Sequence, residues 1–229
     1  MRILLIADTF PPQRTSGAEQ LRDLAREFVR QGNKLSVLLP MPDQECDWKL
    51  EEISEFQVLR LKSPRMKETS YFRRTIAEIV MPFSMLHNFK KSPLNGEKWD
   101  AVVWYSPSIF LGLLAKFFKT QNNCKSYLII RDIFPQWALD MGLISRGIPF
   151  RFFDCVARYQ YSVADAIGVQ SKGNLQFFEQ WRLRANCKIE ILPNWLGTSQ
   201  LRHSSIRIKE TPLAERKILV YSGNMGVAQ

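Results

Sequence analysis

In Arg2-Ile3-Leu4-Leu5-Ile6-Ala7, near the start of the chain, an unbroken apolar run follows the arginine, and a polar loop, Asp8-Thr9-Phe10-Pro11-Pro12-Gln13-Arg14-Thr15-Ser16-Gly17, comes next. From Ala18 to Gln31 the apolar residues Leu21, Leu24, Ala25 and Phe28 recur at helical spacing, and Gly32 stands where a helix would break. Lys34 to Leu39 then begins a second apolar run. Strand, loop, helix and strand follow in that order. A strand that is apolar at every position is buried on both faces, as in a parallel sheet covered by helices.

Outward from this start, the same kind of run returns at Phe56 to Leu61, Ala101 to Tyr105, Ser126 to Ile130, Ala166 to Val169, Ile189 to Leu192 and Lys217 to Tyr221. Amphipathic stretches separate them. The expected fold class is therefore α/β, a Rossmann-like parallel sheet flanked by helices. Gly197 to Glu215 is polar and charged and reads as a linker. The expected organisation is a domain over 1–196, a linker over 197–216, and over 217–229 the first strand and glycine turn of a second unit that is cut off.

The chain has 229 residues, 45% of them apolar and 24% charged, which suffices for a sizeable core and excludes disorder and collagen-like structure. Its 32 basic and 22 acidic residues leave a net charge of +10, so an anionic partner is expected: nucleic acid, a phospholipid surface or a phosphorylated substrate. No helix-turn-helix, zinc-finger or RNP-like aromatic pattern accompanies the charge, which disfavours nucleic acid. Cys46, Cys124, Cys155 and Cys187 are far apart without a C-x-x-C pair, so a metal site is not expected and a reducing compartment is. His87 and His203 are isolated, against a hydrolase triad. Ser106, before Pro107, reads as a helix cap rather than a nucleophile. The start at Met1 lacks the features of a signal peptide, and no run approaches the roughly 18 apolar residues of a membrane span. A soluble or peripheral protein is expected.

In an open parallel sheet, ligands bind beyond the carboxyl ends of the strands. The loop from Asp8 to Glu19 occupies such a place, with two readings open: an anion-binding helix start, or a surface turn in which Ser16 caps the helix. A G-x-G-x-x-G fingerprint is absent and no acidic residue closes the second run, so a nicotinamide enzyme is disfavoured. Arg131-Asp132 follows the fifth run immediately and would stand at the same lip, either to bind hydroxyl or phosphate groups or to fix the loop as an internal salt bridge. Pro193-Asn194-Trp195 follows the seventh run, and Tyr221-Ser222-Gly223-Asn224-Met225-Gly226 opens a glycine turn after the eighth.

Taken together, Phe10-Pro11-Pro12 to Gly17-Ala18-Glu19, Arg131 to Pro135, Ala164-Asp165-Ala166-Ile167 to Ser171, Pro193-Asn194-Trp195 and Tyr221 to Gly226 resemble glycosyltransferase family 4, enzymes of the GT-B fold. The similarity is to the bacterial branch that builds O-antigen and colanic acid polysaccharides, including fucosaminyltransferase-like members. It implies an N-terminal domain that holds the acceptor and a C-terminal domain that holds a nucleotide sugar, UDP-linked by expectation. It further implies transfer with retained anomeric configuration, no metal or other cofactor, and a polyprenyl-diphosphate-linked acceptor at the cytoplasmic face of a bacterial inner membrane. On this resemblance Asp132 is the expected catalytic residue, and Gly17, Ala18, Glu19, Arg131 and Asn194 are expected to contact substrate. Gly223, Asn224 and Gly226 would approach the donor diphosphate. Ala18 departs from a second glycine common in the family, and the Glu-x7-Glu donor motif is missing, so this polypeptide alone is expected to be inactive.

Between Tyr71 and Lys91, Phe72, Ile76, Ile79, Phe83 and Leu86 share a helical face flanked by Arg73, Arg74, Lys90 and Lys91. Such a helix can lie among lipid headgroups, or its apolar face can cover the sheet; Pro82 interrupts it. Phe150, Phe152 and Phe153 with Arg146 and Arg151 allow the same two readings. Two other classes remain beside the transferase: a non-catalytic acceptor- or membrane-docking subunit of a split enzyme, and a basic nucleic-acid-binding protein.

Overall fold

The computed structural model describes residues 1–53, 55–65, 70–179, 187–197 and 207–221. Contacts divide the chain into two units, Met1–Leu196 and Gly197–Gln229. The first is one sheet of eight strands: β1 (Arg2–Ile6), β2 (Lys34–Met41), β3 (Trp48–Ile53), β4 (Phe56–Lys62), β5 (Ala101–Ser106), β6 (Lys125–Ile130), β7 (Ala166–Val169) and β8 (Lys188–Ile191). Their spatial order is β3-β4-β2-β1-β5-β6-β7-β8, with every neighbouring pair parallel except β3 and β4. The helices are α1 (Ser16–Arg30), α2 (Tyr71–Phe89), α3 (Gly112–Asn122), α4 (Gln136–Asp140), α5 (Ile148–Val163) and α6 (Lys172–Phe177).

Period-two alternation along the strands builds two cores. Leu4, Ile6, Val102, Trp104 and Leu128 face one way, against Met81 and Met85 of α2, Leu114 and Phe118 of α3 and Ala157 and Tyr161 of α5. Ile3, Leu5, Val37, Val103, Tyr105 and Ile129 face the other way, against Leu21 and Ala25 of α1. The side chain of Trp104 is fully buried and donates from Nε1 to Gln160 Oε1 at 3.1 Å, so the polar edge of the largest core residue is satisfied inside the fold.

Three expectations need correction. β3 is an antiparallel edge strand absent from the sequence reading, because its Trp-Lys-Leu-Glu-Glu-Ile pattern mixes charge with apolar residues and is half exposed. Lys217 to Tyr221 forms no strand: among the described residues of the second unit there is no partner strand, and Leu219 is 99% exposed. Ser106 caps no helix; it is the buried last residue of β5. In the second unit the described residues form a 3₁₀ turn at Ile208–Glu210 and turns after it, and Gly223, Asn224 and Gly226 lie outside the described residues.

Because seven strands run in parallel, one rim of the sheet collects their amino ends and the other their carboxyl ends. Asp165 belongs to the amino rim. It precedes β7 and accepts from Lys119 Nζ at 2.8 Å, Ser126 N at 2.9 Å and Ser126 Oγ at 3.0 Å, binding the starts of β6 and β7 to the end of α3. Burial pushes its carboxyl up, but the Lys119 and Ser126 bonds outweigh that and hold it below the ordinary value. A depressed carboxyl stabilises the fold above its unfolded pKa and ceases to do so as pH falls through the folded one. Asp165→Asn is therefore expected to cost about 1–2 kcal/mol at pH 7. By thermal unfolding, its deficit against wild type should shrink as pH drops below about 4; a deficit independent of pH would contradict this role.

Candidate functional site

The carboxyl rim is where the order of strands reverses: β2 lies to one side of β1 and β5 to the other. The loops after β1 and β5 therefore leave the sheet in opposite directions, opening a crevice between them. The β1–α1 loop forms one wall. Phe10 is buried against Phe56, edge to face at 6.0 Å, and Arg60 Nη2 of β4 donates to the Pro11 carbonyl at 2.6 Å. Thr9 Oγ1 donates to Gln13 Oε1 at 2.8 Å and meets Thr15 Oγ1 at 2.9 Å. Arg60 is itself 5% exposed and held at 3.0 Å by Glu51 of β3. Burial raises the Glu51 carboxyl, while bonds from Lys49 and Arg60 prevail and leave it lowered.

The cap of α1 is Thr15, one residue before the expected Ser16; its Oγ1 accepts from the Ala18 amide at 3.1 Å. The Ala18 methyl is fully buried, so this residue turns neither side chain nor unbonded amide toward the crevice. Gly17 is buried as well, and a Cβ there would lie 2.8 Å from the Tyr105 hydroxyl. Glu19 pairs with Arg22 one turn along the helix.

Tyr105, near the end of β5, is the residue at the centre of the crevice. Burial raises its hydroxyl pKa; the Arg131 charge opposes this, Asp8 and Asp132 reinforce it, and a hydrogen bond from Arg131 opposes it again. Arg131, directly after β6, has a buried Nη1 with no acceptor among the described residues, and its guanidinium lies 5.8 Å from the Trp195 ring. Trp195, beyond β8, donates from Nε1 to the Gln20 carbonyl of α1 at 2.9 Å. Gln20 is 5% exposed, and its Oε1 likewise has no donor among the described residues.

The structure thus brings Gly17, Arg131 and Asp132 to Tyr105 and sets Asn194 beside Trp195, all at the carboxyl rim. Asp132 and Asn194 are exposed there. Tyr105 and the two unpartnered atoms, Arg131 Nη1 and Gln20 Oε1, escape a reading of the sequence, since a tyrosine closing an apolar run looks like core. Chemically the rim offers a fixed cation, a carboxylate, a phenol and an amide: a set that can orient a hydroxylated or phosphorylated ligand. Within the Ala164 to Ser171 segment, Asp165 serves the opposite rim, and Ser171 caps α6 by accepting from Asn174 N at 3.2 Å.

Comparison with solved structures gives the architecture a context. A UDP-glucosyltransferase from Polygonum tinctorium superimposes with a TM-score of 0.54 at 8% identity, covering 89% of this chain and 55% of its own. An α,α-trehalose-phosphate synthase from Burkholderia xenovorans gives 0.56 at 11% identity, covering 80% and 44%. An E. coli trehalose-6-phosphate structure bound with UDP-2-fluoro glucose gives 0.52 at 11%, covering 84% and 48%. The chain has the fold of a GT-B glycosyltransferase domain. It spans about half the length of these structures. No family model matches it, and no curated protein sequence is significantly similar.

The expected membrane residues divide. The face of α2 that covers the sheet is Ala77, Met81, Met85 and Phe89, and Ile79 and Leu86 pack partly against the same core. Phe72 is 75% and Phe83 59% exposed, with Ile76 and Val80 on the same outer side. Arg74 pairs with Glu78 at 2.9 Å and Lys91 with Asp47 at 2.7 Å, whereas Arg73 and Lys90 make no side-chain bond among the described residues. No helix among those residues is long and apolar enough to cross a membrane.

The contact of α1 with β5 can be measured. Gly17→Ala is expected to destabilise the protein by about 1–3 kcal/mol, because the new methyl must displace a buried phenol. Removing the hydroxyl in Gly17→Ala/Tyr105→Phe should recover at least half of that loss in urea unfolding. Strictly additive losses would show that the two residues do not meet.

Proposed function

We propose that this chain is the acceptor-binding half of a retaining glycosyltransferase, moving a sugar from a UDP-linked donor to a lipid-diphosphate-linked glycan during assembly of a bacterial surface polysaccharide. The observation that carries the reading is the convergence of Tyr105, Arg131 and Asp132 with the start of α1 at the reversal of strand order. The family 4 resemblance of the same loops supports it, as does the likeness in fold to enzymes described as UDP-glucosyltransferases. In this role Asp132 takes a hydroxyl of the reacting sugar, Arg131 steadies an anionic oxygen, and Asn194 and Glu19 border the acceptor. Gly223, Asn224 and Gly226 would face the donor diphosphate. No resident metal is required, since fixed cations and helix starts can stabilise a departing diphosphate.

The outer side of α2 supports a peripheral place at the cytoplasmic surface of the membrane. Phe72, Ile76 and Phe83 expose apolar area beside Arg73 and Lys90, a combination suited to an anionic headgroup layer.

In the polypeptide that carries this chain, Asp132→Asn is expected to lower transfer from UDP-sugars to a polyprenyl-diphosphate-linked glycan by more than about tenfold, with unchanged thermal unfolding. Unaltered turnover would remove Asp132 from the reaction. Flotation with liposomes containing phosphatidylglycerol should fall several-fold in Phe72→Ser/Arg73→Glu/Phe83→Ser, and equal flotation would refute the membrane role of α2.

A further inference from the structure

Two cavities lie on opposite faces of the first unit, and each has three arginines in its lining. The one on the α1 side, about 400 Å³, is bordered by Phe10, Arg22, Arg26, Arg30, Glu55 and Phe56. Its cations are largely spent: Arg22 pairs with Glu19 and Asp23, and Arg30 with Glu27. The other, about 380 Å³, is framed by Phe134, Phe150, Tyr161 and Phe177, with Arg146, Arg151 and Arg158 among its lining residues. Its one acidic residue is Asp154, bonded to Arg158 at 2.7 Å. The guanidinium groups of Arg146 and Arg151 make no ion pair or hydrogen bond among the described residues, so two positive charges stand unbalanced beside an aromatic wall.

A second observation points the same way. Arg146, Phe150 and Arg151 surround the start of α5, a 16-residue helix capped by Gly147, which has no side chain to accept from the first amides. No acidic residue stands in its first turn. The partial positive charge of the helix start therefore adds to the two arginines. Next in the chain to lining residues, Phe152 is 41% and Trp137 38% exposed, and Ile148, at the start of α5, is 85% exposed. Arg146 and Arg151 are exposed while Phe134 and Phe150 are half-buried and Tyr161 is buried, so charge at the mouth beside an aromatic lining matches a ligand with an anionic head and a hydrocarbon tail.

We propose that this cavity binds the diphosphate head of an amphiphile, its oxygens on Arg146 and Arg151 and its first apolar carbons along Phe150 and Phe134. The assignment rests on the acceptor reading above and gives the phosphate end of that acceptor a seat. Phe134 belongs to the same loop between β6 and α4 as Asp132, so the cavity borders the loop that carries Asp132.

Calorimetric titration with three probes tests it: farnesyl diphosphate, inorganic pyrophosphate, and vesicles containing phosphatidylglycerol. Farnesyl diphosphate should bind about tenfold or more tightly than pyrophosphate. Arg146→Gln/Arg151→Gln should weaken farnesyl diphosphate by about tenfold, whereas Lys34→Gln/Lys125→Gln, at exposed strand starts on the amino rim, should leave it unaltered. Phe150→Ser should weaken farnesyl diphosphate but not pyrophosphate. Circular dichroism confirms that each variant is folded, and Arg151→Lys, which keeps the charge but loses the planar fork, should give an intermediate loss. Equal affinity of the two diphosphates, unaltered binding in the Arg146/Arg151 variant, or equal losses in the Lys34/Lys125 variant would each overturn the assignment. So would binding confined to the vesicles, which would make the cavity a bilayer headgroup site. The titration uses no nucleotide sugar: failed transfer with intact farnesyl diphosphate binding counts against the transferase reading alone, and transfer that survives loss of this binding counts against the cavity alone.

Discussion

The contact on which the crevice depends is the approach of α1 to the end of β5, where the Tyr105 hydroxyl lies 2.8 Å from the place a Gly17 side chain would fill. A helix start can come this near a strand only at a residue without a Cβ, and the nearness lets one buried phenol serve both packing and the crevice. It fixes the direction of the first amides of α1, places Gln20 to receive Trp195, and brings Arg131 between the phenol and the indole. Moving α1 outward by the width of a methyl group would separate all of these together.

The two rims of the sheet divide the labour of the polar residues. At the amino rim, Asp165 is satisfied by three donors and serves to join elements. At the carboxyl rim, Arg131 Nη1 and Gln20 Oε1 are buried with no partner among the described residues. Buried polar atoms of a native fold are normally paired, so the two rims differ: the amino rim uses its carboxylate to join elements, while the carboxyl rim keeps these two atoms unpaired among the described residues. Asp165 precedes the apolar run of β7 and Asp132 follows that of β6, so only the end of the strand at which each carboxylate stands assigns it to one rim or the other.

Much of the architecture was legible because β1, β5 and β6 are apolar at nearly every position, a pattern that few structures other than a doubly covered parallel strand produce. β3 escaped because its partner lies on one side only and its outer edge meets water. Lys217 to Tyr221 misled for the converse reason: an apolar run has strand propensity, but a strand also needs a neighbour. On α2 the spacing of Phe72, Ile76 and Phe83 marked a genuine stripe, yet Ala77, Met81, Met85 and Phe89 supply the buried one. A helix with apolar residues over so wide an arc does not disclose which side turns inward. Of the crevice, Arg131 and Asp132 could be found, since charge straight after a buried strand is conspicuous. Tyr105 could not, because its exposure and partners are properties of the packing of α1, not of its own neighbours in sequence.

The edge hairpin has a consequence for the life of the chain outside the crevice. A parallel sheet left open at β4 would offer a bare ladder of amides and carbonyls to any similar edge, and a newly made chain could stack on its siblings. β3 covers that ladder with a strand carrying Lys49, Glu51 and Glu52, and it spends Glu51 on holding Arg60. Charges along an outermost strand make head-on pairing of two copies costly, so the hairpin acts as a fender against fibre-like association.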